Sequence, residues 1–384
     1  MKLFKSLLVA PAALGLLAPM SATANEVTVS DFAPAEKLAI TNSRVDGLEA
    51  RLNNIEAGSF SETTTASFSA DMFLGAVTGG PLAPGRPTDS DTLGDALMAA
   101  YSFQIDLNTS FTGEDSLDIS LDAGNTTTND LGITEFDGNA TSDALQVDGI
   151  SYTFPLGDKM TVIVGDNTDG SALFSTACTY AGPTDTLDDC GNVNAAIENG
   201  GAMAGASYDF GSGFTAAVGY AAGETDMATG LLTKETLDAY GVNASYTGDN
   251  FGVSITYGLV ETSATDEDTF TAVNGYYSPE GFPSISVGYE IGEDGSVTDK
   301  TADELTSFFV GLQFDELGPG TAGIALGTKT PTVEKTDEQY MYEAYYSYPI
   351  NDGMTITPVV FIKETSTAGV DDETGVMVKT SFSF

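Results

Sequence analysis

The sequence predicts an all-β protein: a transmembrane antiparallel β-barrel of about sixteen strands with a short helix near its N-terminus. Three observations carry this. Apolar and polar residues alternate from Ser61 almost to the end of the chain. The connections between the alternating runs are by turns short and long. The last run, Thr374–Phe384, sets Val376, Val378, Thr380, Phe382 and Phe384 on one face and Lys379, Ser381 and Ser383 on the other. A strand turns successive side chains to opposite faces, so one side of this ribbon suits hydrocarbon and the other suits water.

Composition narrows the function before any motif is considered. The 384 residues include 13 basic and 56 acidic side chains, no histidine, and a formal net charge of -43. Phosphate backbones are repelled by such a surface, which excludes nucleic acid as a partner. Without histidine there is no Ser-His-Asp or Cys-His centre and no His-ligated metal, and no catalytic residue, metal or cofactor is expected. The 43 Gly, 21 Phe and 16 Tyr are what many strands and tight turns require. A hydrophobic content of 41% with 10% aromatic residues argues against disorder.

At the amino end, Lys2 and Lys5 precede the apolar run Leu7–Leu17, and Ala22-Thr23-Ala24 has the small residues of a cleavage site. Residues 1–24 therefore read as a secretory signal peptide. No other apolar run is long enough to span a membrane as a helix. A membrane-embedded chain of this kind must be a closed barrel, because lipid cannot satisfy open strand edges. Residues 25–58 form a short segment around the helix Pro34–Ala57, and 59–384 the barrel domain. In the helix, Leu38, Val45, Leu48, Leu52 and Ile55 occupy a and d positions of a heptad, with Thr41 the weak one. Arg44 and Arg51 fall at g, and Glu49 and Glu56 at the e positions five residues on, the spacing of interhelical ion pairs in a parallel coiled coil. Leu52 at a with Ile55 at d leans towards more than two helices. The same pattern also serves a lone amphipathic helix lying on its own domain.

The body of the chain repeats the two-residue period. Ala66, Phe68, Ala70, Met72 and Leu74 share a face, as do Ala99, Tyr101, Phe103, Ile105 and Leu107. Phe251, Val253, Ile255 and Tyr257, then Ile285, Val287, Tyr289 and Ile291, continue the pattern. Runs of about ten residues suffice to cross a bilayer at a tilt. Short turns are expected near 112–115, 155–159, 211–213, 247–250, 278–283, 315–319 and 349–353. Longer acidic links are expected at 78–94, 124–144, 167–201, 223–235, 261–268, 293–303, 330–338 and 364–372. This sorting implies an even strand count with both ends on one side. Aromatics gather at strand ends, as interfacial girdles do.

The third link, 167–201, is the longest, and it alone contains cysteine, Cys178 and Cys190. In an oxidising compartment the two are expected to form a local disulfide, worth on the order of 2–3 kcal/mol in the chain-entropy model. A stiffened link of this length suits an insert that narrows a lumen, with Asp185, Asp188, Asp189 and Glu198 adding negative charge. It also suits a surface loop stapled against proteolysis. Strand parity turns Lys329, Lys363 and Lys379 inward together with Asp71, Asp106, Asp118 and Asp122. Such a lumen filters solutes by size and charge; for any single lysine, pairing with a neighbouring carboxylate is the stronger expectation. Net acidity predicts a preference for cations. The fragment Asp166–Gly170 has the start of a calcium loop but lacks its later ligands.

Several stretches together resemble one family: Met1–Ala24, Asn42–Arg51, Phe60–Ala66, and Thr184–Asn194 around Cys190. The chain is similar to cyanobacterial-type outer-membrane porins, grouped with OprB-like carbohydrate porins and often called iron-uptake porins. The resemblance implies a homotrimer of sixteen-stranded barrels in outer-membrane lipid, passing small hydrophilic solutes and inorganic ions, carbohydrates or iron species among them. Members commonly carry an S-layer-homology domain before the helix; here Asn25–Ala33 is too short for one.

Overall fold

The computed structural model describes residues 64–79, 97–126, 133–136, 138–197, 200–223, 230–233, 237–297, 303–334, 336–366 and 369–384. The expected signal peptide and coiled-coil helix, with Val45, Leu48, Leu52, Ile55, Arg44, Glu49, Arg51 and Glu56, lie outside the described residues.

Among those residues one antiparallel sheet contains seventeen strands. One of them is the two-residue stretch Thr332–Val333, which caps an end of its neighbour at Leu305 and Thr306. The others are β1 (Thr64–Thr78), β2 (Met98–Thr109), β3 (Ser116–Gly124), β4 (Gln146–Pro155), β5 (Met160–Asp166), β6 (Ala202–Gly211), β7 (Phe214–Ala221) and β8 (Ala239–Thr247). They continue as β9 (Phe251–Glu261), β10 (Glu267–Tyr277), β11 (Ser284–Glu293), β12 (Glu304–Leu317), β13 (Gly320–Thr328), β14 (Tyr340–Asn351), β15 (Met354–Lys363) and β16 (Glu373–Ser383). Each pairs with its neighbours in sequence, and β1 pairs with β16, so the sheet closes into a sixteen-stranded barrel.

The two-residue period explains the wall. Met72 and Val376 point outward and are 57% and 58% exposed, whereas the inward Thr256 and Ser286 are 0% and 1% exposed. The seam runs from Ser69 opposite Ser383 to Thr78 opposite Thr374. It is completed by reciprocal backbone bonds between Phe68 and Phe384, both 3.0 Å, and by stacking of their rings at 5.7 Å.

Seven turns of two to six residues lie at one end of the barrel and eight links, longer but for 262–266, at the other, in the alternation that the sequence predicts. Three connections are tighter than expected. β12 runs on to Leu317 and β14 to Asn351, leaving two-residue turns at 318–319 and 352–353. The link between β9 and β10 shrinks to 262–266 because Ser263 and Asp266 fold it onto itself: Ser263 Oγ donates to Asp266 Oδ2 at 2.7 Å and accepts from the Asp266 N–H at 3.1 Å.

Large apolar side chains are also buried inside the barrel. Phe73, Phe309, Met341, Val359, Phe361 and Met377 point inward and pack with Tyr180, Leu187 and Cys190 of the third long link. The core of the molecule lies between this link and the inner wall.

Phe384→Ala removes the ring that stacks across the seam, a contact worth on the order of 1 kcal/mol. The barrel is expected to melt at lower temperature with its strand content intact, read by circular dichroism. An unchanged melting point would remove Phe384 from the account of closure.

Candidate functional site

The third long link runs inside the barrel as two legs laid against the wall. On the outgoing leg the chain is extended, so every second N–H faces the wall. The N–H groups of Ser175, Ala177, Thr179 and Ala181 donate to Asn243 Oδ1 (3.0 Å), Ser254 Oγ (2.9 Å), Ser286 Oγ (2.9 Å) and Gln313 Oε1 (2.8 Å). These acceptors stand on β8, β9, β11 and β12, so one leg crosses several strands with its backbone satisfied by wall side chains. Buried backbone groups need such partners.

The returning leg is held the same way. Asn274 Nδ2 donates to the Cys190 carbonyl at 2.8 Å. Glu290, 2% exposed, accepts the N–H groups of Asn194 and Ala195 at 2.9 and 2.8 Å and the Asn194 side-chain amide at 2.8 Å. A disulfide joins the legs at Cys178 and Cys190, and Asn192 Nδ2 donates to Thr176 Oγ1 at 3.2 Å. Two inward glycines mark the closest approaches. A Cβ at Gly219 would overlap the Gly170 carbonyl oxygen, and one at Gly288 the Cys190 carbonyl oxygen.

The far tip of the link, with its one-turn helix Asp185–Asp188, reaches β13 and β14. Leu187 inserts beside Gly327 and joins the inner core. Tyr180 donates its hydroxyl to Glu343 Oε1 at 2.5 Å. Burial, reinforced by the Glu343 carboxylate, pushes the Tyr180 phenol well above its ordinary value, so it remains a donor. The second long link adds a strap: its 3₁₀ turn Ile133–Phe136 stacks Phe136 on Phe73 at 5.5 Å. Its Glu135 pairs with Lys363 and accepts a hydrogen bond from Thr186 Oγ1 at 2.9 Å.

The wall formed by β1–β3 carries a different set of side chains inward. Asp106 accepts from Gln104 and Ser120, each at 2.8 Å. Asp118 accepts from Asn108 at 2.6 Å and from Ser116 at 2.7 Å. Asp71 pairs with Lys379 at 3.2 Å, and Lys379 also lies over the Phe73 ring, 5.8 Å from its centroid.

The structure thus brings Asp106 and Asp118 onto one stretch of wall and sets two of the three lysines against carboxylates. Lys329, at the end of β13, donates to the Glu364 carbonyl at 2.9 Å. Burial, then the nearby Lys363 ammonium, lowers its pKa. Asp185 and Asp188 are exposed on the one-turn helix and Asp189 is half-buried; Glu198 lies outside the described residues. The residues that seat the link, Glu135, Glu290, Glu343, Asn243 and Asn274, are absent from the candidates drawn from the sequence. For Glu290 and Glu343 a signal existed: each is an inward glutamate between outward apolar residues. Among the described residues no group of three or more His, Cys, Asp and Glu side chains is placed to hold a metal ion.

A closed antiparallel barrel of sixteen strands with a long third link folded against its inner wall is a porin-type architecture. Solved structures agree. The chain is similar to Pseudomonas putida OprB, with a TM-score of 0.60 and 11% identity over 84% of this chain and 94% of that one. It is also similar to a variant of the Rh. blastica porin, with a TM-score of 0.54 and 15% identity over 84% of this chain and all of that one. Both share its fold. An uncharacterised protein of Nostoc sp. is 25% identical, covering 95% of this chain and 74% of its own length. No family model matches the chain.

Glu290→Ala leaves the Asn194 and Ala195 amides buried without an acceptor, costing about 1–3 kcal/mol locally. Hydrogen exchange at these two amides is expected to accelerate about tenfold or more, while amides of β9 and β10 stay protected. Equal protection in the variant would show that the carboxylate does not hold the returning leg.

Proposed function

We propose that the protein is an outer-membrane porin: a passive, non-catalytic channel for small hydrophilic solutes and inorganic ions, carbohydrates or iron species among its cargoes. The observation that carries this reading is the division of the barrel interior. A pinned link covers the inner faces of strands from β7 to β14, and the wall of β1–β3 is lined by Asp, Asn, Gln and Ser side chains. A hydrated solute passes between a rigid insert and a polar wall, and size and charge decide its rate. The outward apolar band is consistent with residence in lipid.

In this reading the third link is the constriction. Asp185, Asp188 and Asp189 at its tip, with Glu198 further along, add negative potential, and Asp106 and Asp118 form the acidic side of the path. Lys363, neutralised by Glu135, contributes little field of its own, as does Lys379 beside Asp71. The balance favours cations. The Cys178–Cys190 disulfide keeps the two legs together, so the aperture is fixed. Residues 1–24 act as the export signal, 25–58 supply the heptad helix and 59–384 the barrel. The helix associates three copies through Val45, Leu48, Leu52 and Ile55, with Arg44, Glu49, Arg51 and Glu56 as ion pairs. The resemblance of its sequence supports reading the chain as a cyanobacterial-type porin.

Planar-bilayer recording under a salt gradient tests the reading directly. Stepwise channel insertions with a reversal potential of the sign for cation preference are expected. Replacing Asp106 and Asp118 together by Asn should lower the cation-to-anion permeability ratio on the order of twofold. Absence of channels from folded, lipid-inserted protein would overturn the proposal. A ratio indifferent to the double replacement would move the filter elsewhere. Deleting residues 34–57 should release monomers on native gels, and association that survives the deletion would exclude the helix as the trimer's cause.

A further inference from the structure

Among the described residues the outer wall carries an apolar hollow that the channel reading does not use. Near the turn end of β6–β10 the outward positions on β7 and β8 shrink to Ala216 and Ala244, while Phe210, Phe214, Tyr246 and Ile255 stand around them. The hollow has a volume of roughly 810 Å³. Phe214 and Tyr246 form one side, ring centroids 4.5 Å apart.

One cation stands beside it. Lys159, in the turn between β4 and β5, brings Nζ to 3.5 Å from the carbonyl oxygen of Phe210, which itself lines the hollow. Lys159 is exposed, and its ammonium keeps N–H donors for another acceptor. Among the described residues the remaining basic side chains, Lys329, Lys363 and Lys379, are at the link end or inside the barrel. In a chain of net charge -43, Lys159 sets an exposed ammonium at the rim of an outward apolar hollow, with Asp158 next to it in sequence and the Asp209 N–H donating to the Lys159 carbonyl at 2.9 Å. An acyl chain suits the alanine floor and a phosphate suits the ammonium, and one molecule supplies both.

We propose that this hollow is a resident phospholipid site. One acyl chain lies over Ala216 and Ala244 between the aromatic walls, and the phosphate of an anionic phospholipid headgroup pairs with Lys159. The proposal rests on the membrane placement given under Proposed function. Apolar burial from lipid into an apolar hollow gains little hydrophobic free energy, since both environments are hydrocarbon. Headgroup pairing therefore sets the preference and chain packing sets the place.

The natural chain has no tryptophan, so a single Trp is a clean reporter. Phe214→Trp reports on the hollow and Val360→Trp on the outward face of β15, away from it. The full chain is reconstituted in nanodiscs of unbrominated phosphatidylcholine containing increasing amounts of brominated phosphatidylglycerol or, separately, brominated diacylglycerol, which has the chains without the phosphate. At the hollow, phosphatidylglycerol is expected to reach half-quenching at about a threefold lower mole fraction than diacylglycerol, the scale of an exposed ion pair. At Val360→Trp the two curves should coincide. Adding Lys159→Gln to Phe214→Trp should remove the difference. Coincident curves at the hollow, or a difference that survives Lys159→Gln, would overturn the site while leaving the channel reading intact. Quenching at Val360→Trp but none at the hollow would show that a second copy covers it, which also overturns the site. No quenching at either reporter would overturn the membrane placement itself.

Discussion

Closure of the sheet is the constraint on which the rest depends. A strand at the edge of a sheet presents unpaired N–H and C=O groups, and hydrocarbon offers them no partner. Here β1 and β16 pair over ten positions, from Ser69 with Ser383 to Thr78 with Thr374. The final residue adds the last reciprocal bonds to Phe68. Once the ring is closed, the two-residue period assigns side chains to lumen or exterior along the regular stretches of each strand. A slip of one residue at the seam would exchange Lys379 with Val378 and turn the whole strand's polarity inside out. The Asp71–Lys379 pair and the Phe68–Phe384 stack both fit a single register, so they help to specify it.

The third link shows what it takes to put a loop inside such a ring. Loops normally stay at surfaces because their backbone groups need partners. Here the partners come from the wall: Asn243, Ser254, Ser286 and Gln313 take N–H groups from one leg, and Glu290 takes two from the other. The apolar inward residues Phe309, Met341 and Phe361 then gain burial against Leu187 and Tyr180. The inner face is therefore not uniformly polar. Where the link lies it mixes apolar residues and glycines with the polar side chains that hold the link's backbone, and along β2 and β3 it carries Asp, Asn, Gln and Ser.

The barrel was legible in the sequence because alternation, and the sorting of its connections, are local, repeated signals. Strand faces, the seven turns and the third link as the special connection could all be read from the residues. The seat of the link was not. Gly219 and Gly288 read as ordinary strand glycines until the carbonyls of Gly170 and Cys190 are seen against them. Likewise Glu135 sits in an acidic link with nothing nearby in sequence to mark it, and its partner Lys363 is far along the chain. Such pairings depend on where the sheet brings distant strands, which periodicity does not encode. Glu290 and Glu343 are the exception, since an inward carboxylate flanked by outward apolar residues is visible without the fold.

The same pairings bear on how charge would act in the proposed channel. A carboxylate beside an ammonium cancels most of its field within a few ångströms, and partial burial does not restore it to the pore. Lys379 with Asp71, and Lys363 with Glu135, are pairs of this kind. Asp106 and Asp118 differ: their hydrogen-bond partners are the neutral Gln104, Ser120, Asn108 and Ser116. Neutral donors orient a carboxylate without supplying a counter-charge. Field in the lumen therefore depends less on how many acidic residues face inward than on which of them lack a counter-charge. By that criterion the wall of β2 and β3 outweighs the lysine-bearing strands β15 and β16, and in the proposed channel the negative side of the path would follow the arrangement of neutral amides and hydroxyls around Asp106 and Asp118.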